Sequence, residues 1–407
     1  MSRATERAIE CGAGKAEAAM RLSTRAKELP PYVFARAGDK LRQLVSQGVD
    51  VINLGVGSPD LPPPAAVVET LCQAAMRHDS HGYCGYYGLP ALRRAIADYY
   101  HQRFEVRLDP DTEVVVLIGS KEGLVNVSLA YLDQGDVSLI PDPGYPTYNA
   151  GTYLAGGVRH ALPLREEQGY RPDLASIPAD ISRSAKILWL NYPNNPTGAT
   201  SDLEFLEGAV AYAQKHNVLL CFDNPYCEVT FDGYRAPSVL QVPGAKQVSV
   251  EFNSLSKTYN MAGWRVGMAV GNGDAVKVLK RVKTNVDSGL FRPIQEAAIA
   301  AITCDRAWIE ERNAVYQRRR DVVMQSLAKC GLSAASPKAT LYIWARLPEG
   351  EGSWNYAMRV LDSTGVWVTP GSAFGAGGEG YVRISLTTPE HRLREALDRW
   401  ERFAQKK

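Results

Sequence analysis

The chain has 407 residues, 45% of them hydrophobic, with a formal net charge of +2. That length supports a large core divided between domains, and the balanced charge, without a long basic or acidic run, argues against a nucleic-acid partner. No apolar run approaches the roughly 18 residues of a membrane span, and the N-terminus lacks the plan of a signal peptide. Seven scattered cysteines with no C-x-x-C pair suit reduced thiols in a cytoplasmic protein. Cys72, Cys221 and Cys304 lie in apolar segments and are expected to serve as small core residues.

Residues 1–27, opening with a stretch rich in Ala, Gly, Glu and Arg, read as a flexible N-terminal extension. A first helix is predicted from about Ala35 to Gln47, stopped by Gly48, and a short strand Val49–Leu54 follows. The loop Gly55-Val56-Gly57-Ser58-Pro59-Asp60 then runs into Pro62-Pro63-Pro64, a boundary into the main domain. From Val114 onwards, short runs that are apolar throughout alternate with helical stretches such as Asp202–His216. The runs are Val114–Ile118, Val137–Ile140, Ile187–Leu190, Val218–Phe222 and Val248–Phe252. Runs of this kind indicate a mostly parallel sheet covered by helices on both faces, an α/β domain. After a helix from Asp274 to Asn285, a long helix Ala297–Leu327 leads into a second, α+β domain. It holds strand Leu341–Ala345, helix Trp354–Ser363, strands Val366–Val368 and Tyr381–Leu386, and a last helix from Pro389.

Sites in open α/β sheets lie beyond the carboxyl ends of the strands, and the residues able to do chemistry cluster there. Ser254-Leu255-Ser256-Lys257, with Arg265 eight residues later, combines a lysine that can form a Schiff base with hydroxyls and a guanidinium suited to a phosphate. Asp223 closes an apolar strand, where a carboxylate needs a partner; a protonated pyridine nitrogen is one, a helix N-cap the other. Ser120-Lys121 opens a helix directly after a strand, which makes either an anion site or a plain capped turn. Tyr145 can offer its face to a planar ring or fill core. The turn Asn191-Tyr192-Pro193-Asn194-Asn195-Pro196 aims amides above the sheet. Arg383 stands in an otherwise apolar strand, paired either with a substrate carboxylate or with a structural acid.

In order along the chain, Gly57-x-Pro59-Asp60 comes with Ser58 between its first two residues, then Tyr83 with Gly88-Leu89-x-x-Leu92-Arg93, Pro143-Gly144-Tyr145 and Asn194-Asn195-Pro196-Thr197-Gly198. Asp223-x-x-Tyr226, Ser254-Leu255-Ser256-Lys257 and the late Arg383 complete the set. Together they resemble the class I/II aminotransferases of pyridoxal-phosphate fold type I. That resemblance implies a large domain, residues 62–292, with a mostly parallel sheet sandwiched by helices, and a smaller α+β domain from residues 28–61 and 293–407. It implies pyridoxal 5'-phosphate as the cofactor, no metal, and a cytoplasmic homodimer with shared sites. Lys257 would form the Schiff-base linkage and shuttle the proton. Asp223 would pair with the pyridinium nitrogen, and Tyr226 and Asn195 would hold the ring's phenolic oxygen. Tyr145 would stack on the ring, Ser120, Lys121, Ser254 and Arg265 would hold the phosphate, and Tyr83 would reach the neighbouring subunit's phosphate. Arg383, with Asn195 and the backbone at Gly57, would clamp the substrate α-carboxylate. Within the family the chain looks like the LL-diaminopimelate aminotransferase group, with 2-oxoglutarate as acceptor. Alanine or aspartate aminotransferase and a lyase or decarboxylase on the same scaffold are the alternatives. Some diaminopimelate enzymes carry an acid in the loop after the residue matching Tyr83, whereas here that loop is Cys84-Gly85-Tyr86-Tyr87.

Overall fold

A computed structural model describes residues 21–29 and 33–405; the first 20 residues of the expected extension lie outside them. Its strands are β1 (Ile52–Asn53), β2 (Val114–Ile118), β3 (Val137–Asp142), β4 (Val158–Pro163), β5 (Ala185–Asn191) and β6 (Leu219–Asp223), followed by β7 (Ser249–Ser254), β8 (Val266–Gly271), β9 (Tyr342–Arg346), β10 (Val366–Trp367), β11 (Thr369–Pro370) and β12 (Tyr381–Ser385). Seven of them form the main sheet in the order β2-β8-β7-β6-β5-β3-β4. Only β8 runs against its neighbours.

The interior strands are largely apolar because each face has its own core, although β7 alternates Val250 and Phe252 with the buried polar Ser249, Glu251 and Asn253. Leu188, Leu190, Leu220 and Phe222 pack on one side. Ile187, Trp189, Leu219, Cys221 and Phe252 alternate with them and pack on the other. A third cluster joins Ile52, Leu54, Tyr316, Ile343, Val360, Val366 and Trp400, away from the main sheet. It surrounds the antiparallel trio β11-β12-β9 and the parallel pair β1-β10.

Several elements differ from the sequence reading. The expected long helix Ala297–Leu327 is two helices, Arg292–Ile302 and Ala307–Ser326, because the Asp305 carboxylate accepts the Ala307 amide at 2.9 Å and restarts the chain as a new helix. Strands β4 and β8 were not anticipated. β4 is a mostly exposed sheet edge with no apolar run, and β8 reads Val-Gly-Met-Ala-Val-Gly. The helices Ala65–Ala75 and Pro90–Phe104 occupy the stretch before β2, for which the sequence pattern indicates no element. Of the three cysteines expected in the core, Cys221 is buried, Cys304 is half-buried at the helix break, and Cys72 is exposed. Cys72 stands about 200° around its helix from the buried Ala74, so it faces outward.

Candidate active site

Three neighbouring parallel strands end side by side. Asn191 of β5 pairs in register with Asp223 of β6, which pairs with Phe252 of β7, two residues before Ser254. A cavity of about 430 Å³ opens above these ends. Ser120, Lys121, Tyr145, Asn195, Asp223, Tyr226, Ser254, Lys257, Arg265, Gly57 and Arg383 all line it. Tyr83 does not; it is 93% exposed on the surface.

Asp223 sits on the cavity floor and caps no helix. Its Oδ2 accepts a 2.6 Å hydrogen bond from Tyr148 Oη, while the buried Oδ1 has no partner among the described residues. Burial pushes this carboxyl up to about 7 despite the Tyr148 bond. Tyr148 is held by stacking on Trp189 at 4.8 Å and by an edge contact with Tyr145. The Asn191 side chain fastens the floor, donating to Asp223 O at 2.7 Å and accepting the Asn195 amide at 2.8 Å.

At one end of the cavity the helix Ser120–Tyr131 begins, with its free backbone N–H groups aimed inward. Glycines keep this end open. A Cβ at Gly119 would stand 2.0 Å from an Arg265 Nη, and one at Gly267 would stand 2.4 Å from Ser120 N. Arg265 adopts a left-handed backbone, φ +60°, and donates to Ala262 O at 2.9 Å. The Ser254 hydroxyl accepts from the Ser256 amide. A helix N-terminus, two serine hydroxyls and a guanidinium around one open end make an anion cup.

Lys257 lies between the cup and the opposite wall. Its Nζ donates to Gly57 O at 2.5 Å. Burial lowers the amine's pKa, and the cations of Arg383 and Arg265 act in the same direction. Gly57 is dictated by close approach, since a Cβ there would stand 1.8 Å from Tyr342 Oη. Tyr342 and Tyr226 hydroxyls are 3.0 Å apart. Burial alone would raise both phenols, but Arg383, 4.0 Å above the Tyr342 ring, and Lys257 hold Tyr342 below its usual value. The Arg383 guanidinium donates to Asn195 Oδ1 and Gly55 O, each at 2.7 Å, and lies between the rings of Tyr342 and Phe374.

Tyr148, Asn191, Ser256 and Tyr342 are site residues that the sequence reading did not assign. Asn191 and Ser256 stand within motifs already singled out there, and Tyr148 lies three residues beyond Tyr145. Tyr342 offered no signal beyond its place in an apolar strand.

The arrangement fits pyridoxal phosphate. The unpartnered, buried Asp223 Oδ1 suits a protonated ring nitrogen, the cup suits a phosphate, and Lys257 can reach a carbonyl between them. Residues 49–399 match the family "Aminotransferase class I and II". The LL-diaminopimelate aminotransferase of Moorella thermoacetica is 48% identical over 94% of this chain and 98% of its own. Among solved structures, apo-BacF of Bacillus subtilis is 36% identical with a TM-score of 0.91, covering 94% of this chain and 98% of that one. The aspartate aminotransferase of Thermus thermophilus with maleate is 32% identical with a TM-score of 0.88, covering 94% and 100%. On this geometry and these likenesses, the chain belongs to the class I and II aminotransferases of fold type I, pyridoxal-phosphate enzymes that act on small amino and 2-oxo acids.

Proposed function

We propose that the protein moves an amino group from LL-diaminopimelate to 2-oxoglutarate, as a cytoplasmic homodimer built from a coenzyme domain (residues 62–292) and a smaller one (28–61 with 293–407). Pyridoxal phosphate, when bound, supplies a conjugated ring that takes up the electron pair left as the substrate α-C–H bond breaks. Asp223 would hold the ring nitrogen protonated through Oδ1, and Tyr148 keeps that carboxylate oriented from the other side. Ser120, Lys121, Ser254 and Arg265 would hold the phosphate, Tyr145 would cover the ring face, and Tyr226 with Asn195 would face its phenolic oxygen. Lys257 Nζ, its proton affinity lowered by burial and two nearby cations, would accept the α-proton and hold it for return. Arg383 presents a planar fork to the α-carboxylate, oriented by Asn195 and the carbonyl of Gly55. The exposed Tyr83 lies outside this chain's cavity, where it is available to a second copy's phosphate; sedimentation at micromolar concentration tests the dimer.

The substrate assignment is carried by the 48% identity to enzymes named for LL-diaminopimelate, spread over 94% of the chain. One observation favours a second reading, alanine or aspartate as donor. Asp223 is the only carboxylate among the described residues lining the cavity, so no lining side chain matches a distal ammonium with charge. The deciding experiment runs LL-diaminopimelate, alanine, aspartate, glutamate and aromatic amino acids against 2-oxoglutarate, pyruvate and oxaloacetate. LL-diaminopimelate with 2-oxoglutarate should give the highest kcat/KM. A tenfold preference for alanine or aspartate replaces the substrate, and failure of every 2-oxo acid to restore the aldehyde form points to a lyase.

A further inference from the structure

Of the three buried arginines on the helix Ala307–Ser326, Arg312 and Arg319 stand seven residues apart, on one face. Arg312 is 2% exposed, yet the hydrogen bonds of its guanidinium run to neutral oxygens. One nitrogen donates to Lys257 O at 2.6 Å and to Thr258 O. The other donates to Glu228 O and to Asn313 Oδ1, at 2.6 and 2.7 Å. Asn313 Nδ2 donates to the same Glu228 carbonyl at 2.9 Å. Among the described residues Arg312 makes no ion pair. The adjacent Glu228 carboxylate is taken instead by Arg103, Arg306 and Tyr99.

A buried cation matched only by neutral acceptors is costly for stability alone. What it joins is specific. Glu228 ends the segment that carries Tyr226 and follows Asp223, the last residue of β6; Lys257 and Thr258 end the segment that follows β7. One planar fork therefore ties together the main chains bearing the two proton-handling side chains. Seven residues on, Arg319 grips Asp60 in a bidentate pair at 2.7 and 2.9 Å. Asp60 ends the loop whose Gly57 carbonyl accepts the Lys257 amine.

We infer that Arg312 is a positioning residue, fixing Lys257 relative to Tyr226 through three backbone carbonyls, and that Arg319 completes the clamp from the side of the Gly57–Asp60 loop. Arg312→Lys keeps the charge but cannot span both segments. Displacement of about 1 Å at a reacting group costs on the order of 100-fold in rate. The inference rests on Lys257 being the coenzyme lysine. Borohydride label found on another residue of the wild-type protein would overturn that reading by itself, before any Arg312 variant is made.

The experiment uses the holoenzymes of wild type, Arg312→Lys and Asn313→Ala, the last removing the side support of the guanidinium together with the Asn313 bond to the Glu228 carbonyl. Three quantities are measured: kcat and KM, the pH midpoint of the bound coenzyme's absorbance change, and the thermal melt. We expect Arg312→Lys to lose at least ~10-fold in kcat with KM nearly unchanged, and to shift the absorbance midpoint. Asn313→Ala should move both in the same direction by less. A lower melting temperature with kcat and midpoint unchanged in both variants would reduce Arg312 to a structural role. If Arg312→Lys fails to fold, Asn313→Ala decides by the same two readouts.

Discussion

Asp223→Asn separates the electrostatic cost of the cavity floor from its shape. Asparagine fills the same space and can still accept the Tyr148 hydroxyl, but it never ionises. In the coenzyme-free protein, burial raises the Asp223 carboxyl from 3.8 to about 7. A carboxyl raised by folding binds its proton more tightly in the native state. Its contribution to stability is complete below pH 3.8 and is lost as pH rises toward 7. A shift of about three units at 1.36 kcal/mol each comes to about 4 kcal/mol, all of it lost by pH 8. Coenzyme-free Asp223→Asn should therefore match wild type at pH 4 and exceed it by about 4 kcal/mol at pH 8. Glu251, also pushed to about 7 by burial, is present in both proteins and cancels in the difference.

Loading with pyridoxal phosphate should reverse the order at pH 8. A ring cation facing Oδ1 lowers the carboxyl again and returns the stability that ionisation removed, whereas asparagine gains nothing from that charge. Urea unfolding of both proteins, with and without coenzyme, at pH 4, 6 and 8 gives the four curves. Parallel pH profiles for the two coenzyme-free proteins between pH 4 and 8 would show that Asp223 ionises as an ordinary surface acid, and would refute the account of the floor.

Borohydride reduction of the yellow holoenzyme should remove its visible absorption and leave a pyridoxyl group that peptide mass spectrometry places on Lys257; label elsewhere sinks the assignment. Arg383→Lys should cost about 2–5 kcal/mol in kcat/KM, by a similar amount for three unlike amino donors, since all share the α-carboxylate. A drop in melting temperature with normal kinetics would instead make Arg383 structural. Tyr148→Phe keeps the stack on Trp189 but removes the hydroxyl from Asp223. Loss of a hydrogen bond to a charged group, about 1.5–3 kcal/mol, should move the pH range of the Asp223 effect upward by about one to two units; an unmoved range would mean that the hydroxyl does not bear on the carboxylate.

What was legible in the sequence follows from how far each feature depends on its neighbours. Strands β2, β3, β5, β6 and β7 could be read because burial on both faces, which the edge strand β2 shares with the interior ones, favours a largely apolar run. β4 could not, because this edge strand is mostly exposed, and β8 could not, because its Gly267 serves the approach of Ser120 and its Gly271 that of Ser249 rather than strand formation. Likewise Lys257, Asp223 and Arg383 announced themselves by standing at or within apolar strands, where a charge calls for a reason.

Arg312 and Glu228 gave no such warning, and the difference is physical. On a helix, an arginine amid other arginines reads as solvated surface; helix Ala307–Ser326 holds Arg312, Arg318, Arg319 and Arg320 in one polar-looking stretch. Its burial becomes visible only once the chain ends of β6 and β7 are brought against it, because the acceptors are main-chain carbonyls that carry no sequence identity. Residues that touch the coenzyme are constrained by its chemistry, so their types recur in readable patterns. Residues that hold the backbone beneath them need only a donor of the right reach. The positioning layer of this site is therefore a property of the fold, found by asking where each buried donor goes.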